Sequence, residues 1–199
     1  NYGTGFAPYF LSLGLFVGAL LISIVYQLKM PAVRPRNGVA WFFGKFGVIT
    51  IVGVIQALLA DAILLLGLGI EVQSVPLFLL TSIIISLTFM ALIQFFVTTL
   101  GDPGRFMAII ILILQLTTSA GTFPLELIPK ALQPISAFLP MTYTVQALKA
   151  VVSSGDFAYM WSNIIILLAY LIGFAILTMI FFVIQFKSKR DLLPEQEAA

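Results

Sequence analysis

Long apolar segments without a charged side chain constrain this sequence more than any other feature. No Asp, Glu, Lys or Arg occurs in residues 1–28, 72–101, 106–125 or 157–186. A helix needs about 20 apolar residues to cross the hydrocarbon core of a bilayer. Charged residues make up only 9% of the chain, against about 25% in a typical soluble domain. The sequence therefore predicts an all-α integral membrane protein.

The apolar runs predict five membrane-spanning helices, at approximately residues 8–28, 46–70, 76–100, 106–120 and 161–186. Eight of the 10 Lys and Arg residues lie in the segments that follow the first, third and fifth of these helices. The positive-inside rule makes this basic side cytoplasmic. The predicted topology has an external N-terminus and a cytoplasmic C-terminus.

The predicted domain organisation is one membrane domain, residues 1–190, followed by a short tail, residues 191–199. The tail is polar and rich in Glu, so it is predicted to be disordered in the cytoplasm. The chain begins at Asn1, and its odd number of predicted spans starts on the external side. We therefore expect that a segment upstream has been removed.

A proline-rich segment precedes the last predicted span. Its prolines are Pro124, Pro129, Pro134 and Pro140. Each proline inside a helix removes a backbone hydrogen bond and clashes with the preceding turn, so the segment cannot be one continuous helix. It is nevertheless too apolar for a solvated loop, and irregular backbone at membrane depth must be shielded by protein. We predict a pair of short re-entrant helices on the external side; the alternative is an interfacial loop that merely connects two spans.

The sequence from Pro140 onward predicts an amphipathic helix. Apolar residues recur at helical spacing at Met141, Val145, Leu148 and Val152. Gly155 is placed to end this helix.

The sequence resembles the YhgE/Pip (phage infection protein) family in two stretches. They are NYGTGFAPYFLSLGLFVGALLISIVY at residues 1–26 and AGTFPLELIPKALQPISAFLPMTYTVQALKAVVSSGD at residues 120–156. The membrane part of that family is similar to the permease domain of ABC-2 type transporters. The resemblance implies a multi-pass protein of a bacterial plasma membrane. It also implies that a first span and a large extracellular domain belong upstream of this chain.

The resemblance implies roles for two segments. Re-entrant helices close the outer mouth of ABC-2 permeases, so an external gate is expected at Pro124, Glu126, Pro129, Pro134 and Pro140. The link corresponding to residues 29–45 contacts the ATPase subunit in those permeases. Here residues 30–36 hold two prolines and form no obvious coupling helix, although residues 39–46 could supply a short one.

The basic residues of this link are Arg34, Arg36 and Lys45. We expect them to contact either a cytoplasmic protein partner or anionic lipid headgroups.

Asp61 is the ionisable residue that lies deepest in a predicted span. Such a group normally faces the interior of a helix bundle and is a functional candidate. Counting about 1.5 Å per residue places Asp61 at a depth similar to that of Gln115, Thr118 and Ser119. We predict that these four residues meet and line a substrate path. The alternative is a protonated or hydrogen-bonded carboxyl with a structural role.

Small residues recur at four-residue spacing in two predicted spans, at Gly14 and Gly18 and at Ala169 and Gly173. This spacing allows close helix contacts, either within one chain or between two chains of a dimer.

The sequence predicts no enzyme, no metal site and no cofactor, because it contains neither His nor Cys and no phosphate-binding loop. The small net charge of +2 also argues against nucleic acid binding. The leading hypothesis is the membrane domain of an ABC-2-type exporter of a hydrophobic or amphipathic substrate, dimeric and powered by a separate ATPase. The alternative is a non-transporting anchor whose extracellular module serves as a phage receptor or a secretion-system scaffold.

Overall fold

The computed structural model describes residues 2–119 and 125–192, with the side chains of residues 2, 3, 125 and 189–192 excepted. These residues form helices and no strands. The α-helices are α1 (Tyr2–Val25), α2 (Gly38–Ala62), α3 (Val75–Leu100), α4 (Asp102–Thr118), α5 (Gln133–Ser136), α6 (Pro140–Lys149) and α7 (Phe157–Leu192). Single π-helical turns extend α2 over Ile63–Gly67 and α6 over Ala150–Ser154, and Leu125–Leu127 form a 3₁₀ turn.

In the described part of the chain, four helices are long and apolar enough to cross a membrane. They are Thr4–Val25, Gly38–Gly67, Val75–Leu100 and Phe157–Ser188. These helices correspond to the first, second, third and fifth predicted spans. The fourth predicted span corresponds to α4, whose 17 residues extend about 25 Å. A crossing by α4 therefore stays a prediction.

The second span begins at Gly38 and not near residue 46, because Asn37 caps its N-terminus. The Asn37 side chain accepts a hydrogen bond from the backbone N–H of Ala40 at 2.7 Å, and this satisfies one of the N–H groups that have no partner within the helix. Residues 39–46 are thus the first turns of a continuous helix. They do not form a short helix of their own that could serve as a coupling helix.

Side-chain contacts gather the basic segments at one end of the bundle. Arg105, in the first turn of α4, donates from Nε and Nη2 to the carbonyl of Ser23 near the end of α1, at 3.2 and 2.7 Å. Lys45 donates to the carbonyl of Gln27 at 2.5 Å. Lys29 lies over an aromatic ring in the last third of α7. We call this end of the molecule the basic end.

The opposite end of the bundle is held together by Gln73, in the connection between α2 and α3. Its backbone N–H donates to the carbonyl of Val151 at 3.0 Å, and its side chain donates to the carbonyl of Ser153 at 3.3 Å. This connection therefore lies beside the π-turn that follows α6.

The predicted helix from Pro140 to Gly155 is confirmed. Gly155 has a φ of +70° in the left-handed region, and its N–H donates to the carbonyl of Ala150 at 2.8 Å, which ends the π-turn. The four apolar positions of the predicted stripe are all buried. The helix does not lie on the surface, however, because it packs against α1, α3, α4 and α7.

The proline-rich segment forms short turns, as its sequence indicates. Pro134 lies in the first turn of α5, and the carbonyl of Pro129 accepts a hydrogen bond from Leu132 N–H at 2.8 Å. Pro124 lies outside the described residues, and the re-entrant path of the segment stays a prediction. At the C-terminus, α7 continues to Leu192, and the disorder of the tail stays a prediction. Residues 193–199 lie outside the described residues.

Candidate functional site

Asp61 is fully buried in the last turn of α2 and faces Ser82 of α3. Ser82 Oγ lies 2.7 Å from Asp61 Oδ1 and 2.9 Å from the carbonyl oxygen of Phe78. Asp61 Oδ2 is buried and has no hydrogen-bond partner among the described residues. No Lys or Arg in the described part of the chain lies within ion-pair distance of this carboxyl.

The geometry around Ser82 is best satisfied by a neutral Asp61. A hydroxyl group has a single proton, so Ser82 can donate to Asp61 or to the carbonyl of Phe78 but not fully to both. A protonated Asp61 donates to Ser82 Oγ while Ser82 donates to Phe78, and both contacts are then made. An ionised Asp61 would compete for that one proton and would leave a buried charge without a counterion, which is costly.

A second polar contact between α2 and α3 lies one helical turn from Ser82. Gln56 Nε2 donates to Ser86 Oγ at 2.8 Å and also reaches the carbonyl of Leu15 in α1 at 3.3 Å. Ser86 Oγ donates to the carbonyl of Gly53 at 2.7 Å. We call Gly53, Gln56, Asp61, Ser82 and Ser86 the α2–α3 seam.

The helical angle between Gln56 and Asp61 indicates that the two residues do not share a face of α2. In the structure both side chains nevertheless end on α3. Their partners Ser82 and Ser86 are four residues apart, so they lie on one face of that helix. The length of the glutamine side chain makes up for its different direction.

The side chain of Gln115 in α4 forms a hydrogen bond with α6. Its Oε1 accepts a hydrogen bond from the backbone N–H of Met141 at 3.1 Å, in the first turn of α6. The residue that precedes α6, Leu139, has no side chain that could cap the helix. Gln115 therefore supplies this cap from another helix.

The described side chains show no hydrogen bond between Asp61 and Gln115, Thr118 or Ser119, so the meeting of these four residues stays a prediction. Asp61 Oδ2, Gln115 Nε2 and Ser119 Oγ are all buried, and none of them has a hydrogen-bond partner among the described residues. Thr118 donates to the carbonyl of Leu114, within its own helix, at 2.6 Å. The candidate residues thus form two groups, one between α2 and α3 and one at the contact of α4 with α6.

Sequence reasoning missed the hydroxyl residues that join the helices. Ser82 and Ser86 are the partners of the seam, and Thr144 of α6 donates to Ser12 of α1 at 2.9 Å. Four-residue spacing of Ser within an apolar span is a signal that could have found the first two. Ser12 and Thr144 are 132 residues apart in sequence, and no local pattern relates them.

The predicted gate residues differ in exposure. Glu126, Pro129 and Pro134 are exposed, whereas Pro140 is buried at the start of α6. Two tyrosines tie the end of this segment to the bundle. Tyr143 Oη donates to the carbonyl of Ala137 at 2.5 Å, and Tyr170 Oη donates to the carbonyl of Phe138 at 2.8 Å.

The small residues of the two predicted packing motifs also differ. A Cβ atom at Gly18 would overlap the side-chain amide of Gln56, so this glycine lies in the contact between α1 and α2, and a larger residue would displace that amide. Gly14, Ala169 and Gly173 are exposed on the outer surface of the bundle. Ala169 and Gly173 line a shallow apolar groove of about 310 Å³ along α7.

The basic residues of the link differ in exposure. Arg34 and Arg36 are exposed on the non-helical stretch before α2. Lys45 is buried, with 6% of its surface exposed, because its ammonium group is directed at the end of α1.

Helices that are apolar outside and joined by hydroxyl and amide groups inside define a multi-pass membrane domain. Residues 1–184 match the family described as "ABC-2 family transporter protein", and the chain belongs to that family. It is 48% identical over all 199 residues to a protein of Bacillus subtilis (strain 168) named "Uncharacterized protein YhgE". The chain spans 26% of the length of that relative. No solved structure matches the chain.

Proposed function

We propose that this chain is the permease domain of an ABC-2-type exporter that moves a hydrophobic or amphipathic substrate and is powered by a separate ATP-hydrolysing subunit. The observation that carries the proposal is the family match over residues 1–184. The buried polar groups support it, because they are mostly uncharged hydroxyls and amides on several different helices. Such an interior suits a substrate with one polar part and a large apolar part.

The proposed orientation puts the basic end of the bundle in the cytoplasm. Lys29, Lys45 and Arg105 meet there through contacts with α1 and α7, and the positive-inside rule assigns such an end to the cytoplasmic leaflet. The connection at Gln73 and the π-turn after α6 then lie on the external side. In this arrangement α4 is the fourth of five spanning helices. Its 17 residues are about 25 Å long, and the proline-rich segment covers the rest of the bilayer thickness on the external side.

The proposed substrate path runs between the two polar groups of the site. Asp61 Oδ2, Gln115 Nε2 and Ser119 Oγ have no partner among the described residues, so each can still form a hydrogen bond with a polar substrate group. Thr118 lies on α4 with Gln115 and directly precedes Ser119. Glu126 and the prolines of the re-entrant segment would form the external gate over this path, with Pro140 fixing the start of α6.

We assign ATP hydrolysis to a separate subunit, because residues 1–199 contain no phosphate-binding loop. Arg36 is the basic residue of the link that is best placed for a protein partner, because it is exposed and lies outside the cavity between the link and α2. A dimer, of identical or related subunits, would form through the exposed small residues of α7.

The experiment that tests the exporter is a pull-down of the full-length protein from its native membrane in mild detergent, followed by mass spectrometry. We expect an ATPase in stoichiometric amount, and its loss in Arg36→Ala. The matched control is Lys130→Ala, which removes an exposed charge from the proline-rich segment. Recovery of the protein alone, or with secretion or phage components, would instead indicate the non-transporting anchor of an extracellular module.

A further inference from the structure

A cavity of about 410 Å³ lies between the non-helical link and the first turns of α2. Tyr26, Arg34, Trp41, Lys45 and Val48 are among the residues that line it. We call it the link cavity. It combines two cations with an aromatic and aliphatic wall.

The two cations of the link cavity form no ion pair with the side chains that the structure describes. Lys45 Nζ lies 2.5 Å from the carbonyl oxygen of Gln27 and 4.6 Å from the centre of the Tyr26 ring. These contacts orient the ammonium group but leave its charge uncompensated. No acidic side chain of the described residues lies within ion-pair distance of Lys45 or Arg34. Buried charges in proteins are normally paired, so Lys45, which is buried, can still take an anionic partner.

The position of the cavity along α2 indicates where that anion comes from. The helical stretch Gly38–Gly67 has 30 residues and is about 45 Å long, whereas the hydrocarbon core is about 30 Å thick. We assign the excess of about 15 Å to the N-terminal end, because Lys45, the one basic residue of this stretch, lies there beside Trp41. Lys45 is therefore at the level of the headgroups, the level at which Trp and Tyr side chains are enriched.

We propose that the link cavity binds the phosphate of an anionic phospholipid through Lys45 and Arg34. The glycerol and the first acyl carbons of the lipid pack against Trp41 and Val48. A free phosphate has the same charge chemistry, but it would leave this apolar wall uncovered. The proposal rests on the placement of the chain in a membrane and is independent of the exporter role.

The test is native mass spectrometry of the delipidated full-length protein, titrated in detergent with phosphatidylglycerol, phosphatidylcholine or inorganic phosphate. We expect phosphatidylglycerol to bind in preference to the other two. Loss of one charge-assisted contact in Arg34→Gln should weaken its binding about tenfold. Lys45→Gln should do the same, and Lys45→Arg should keep most of the affinity. The matched control is Arg36→Gln, which removes an equal charge from the link but not from the cavity.

Three results would overturn the proposal. An equal loss in Arg36→Gln would indicate a diffuse basic surface in place of a built site. Equal binding of phosphatidylcholine, unchanged in the variants, would show that the charge of the lipid is irrelevant. Binding of inorganic phosphate that depends on Arg34, with no preference for phosphatidylglycerol, would identify a soluble anion as the ligand. Arg34 is exposed, so its variant should fold even if Lys45→Gln does not. Failure to recover an ATPase in the pull-down would leave lipid binding unaffected.

Discussion

A double-mutant cycle, in which Asp61 and Ser82 are replaced singly and together, distinguishes a functional carboxyl group from a structural one. Ser82→Ala removes the hydroxyl 2.7 Å from Asp61 Oδ1 and leaves that carboxyl without a described partner. The expected cost is about 1–3 kcal/mol, the penalty for an unsatisfied buried polar group. Asp61→Asn should cost less, because an amide N–H can donate to Ser82 Oγ while Ser82 still donates to the carbonyl of Phe78.

The coupling energy from this double-mutant cycle also reports the charge of Asp61. A hydrogen bond between neutral groups contributes about 0.5–1.5 kcal/mol, and one to a charged group contributes about 1.5–3 kcal/mol. Cycles across membrane helices average about 0.6 kcal/mol and reach about 1.7 kcal/mol. Since the geometry around Ser82 favours a neutral Asp61, we expect a coupling energy below about 1.5 kcal/mol.

The assay has two parts, both on the full-length protein. Unfolding in mixed detergent micelles gives the stability of each variant, and export from cells or vesicles gives its activity. If Asp61 serves transport, Asp61→Asn should lower export at least about tenfold, a barrier increase of about 1.4 kcal/mol, with little loss of stability. Wild-type export by a well-folded Asp61→Asn protein would refute the functional assignment. A coupling energy above about 2 kcal/mol would refute the neutral carboxyl.

Three further substitutions test other parts of the structure. Gly104→Leu should destabilise the protein by about 1–3 kcal/mol, because the Cβ atom of the leucine would overlap a backbone carbonyl of α3. The control is Gly44→Ala, which adds a Cβ where no other atom lies within contact distance and should not lower the melting temperature. Gln115→Leu should lower stability by about 1 kcal/mol and speed amide hydrogen exchange in the first turn of α6, because it removes the acceptor for Met141 N–H. The control is Gln115→Glu, which keeps that acceptor. Unchanged exchange in the leucine variant would contradict the capping role. Gly173→Leu should abolish the proposed dimer in chemical crosslinking without loss of folded protein, and Gly14→Leu, equally exposed on α1, should not. The reverse result would move the dimer contact to α1.

Hydropathy predicted most of the fold because membrane insertion is a property of local sequence. The third span was predicted at residues 76–100 and is found at Val75–Leu100. The start of the second span was missed because its first turns carry Lys45, whose charge is directed out of the helix toward the end of α1. A hydropathy pattern registers that charge but not its direction.

The polar contacts were predicted less well, because depth along a helix does not determine which helix lies opposite. Asp61 and Gln115 were matched in height alone, but α2 packs against α3 while the Gln115 amide caps α6. Ser82, the actual partner of Asp61, is separated from it by 21 residues and by the whole connection between α2 and α3. Which neighbour a side chain meets depends on the packing of the bundle and is not visible in the sequence of one span.

The surroundings of α6 explain how this short helix, which begins at Pro140, packs inside the bundle. This helix has 10 residues and is about 15 Å long, too short to cross the bilayer core, yet most of it is buried. Backbone at such depth is stable only if its polar groups find protein partners. Gln115 supplies one at the N-terminus, Thr144 binds α1, and the Gly155 N–H closes the C-terminal turn. Residues 126–138 are largely exposed, and the hydroxyls of Thr142, Tyr143 and Tyr170 connect their C-terminal part to the bundle. A gate at this end of the bundle would therefore open by movement of those residues, with α6 as the fixed support.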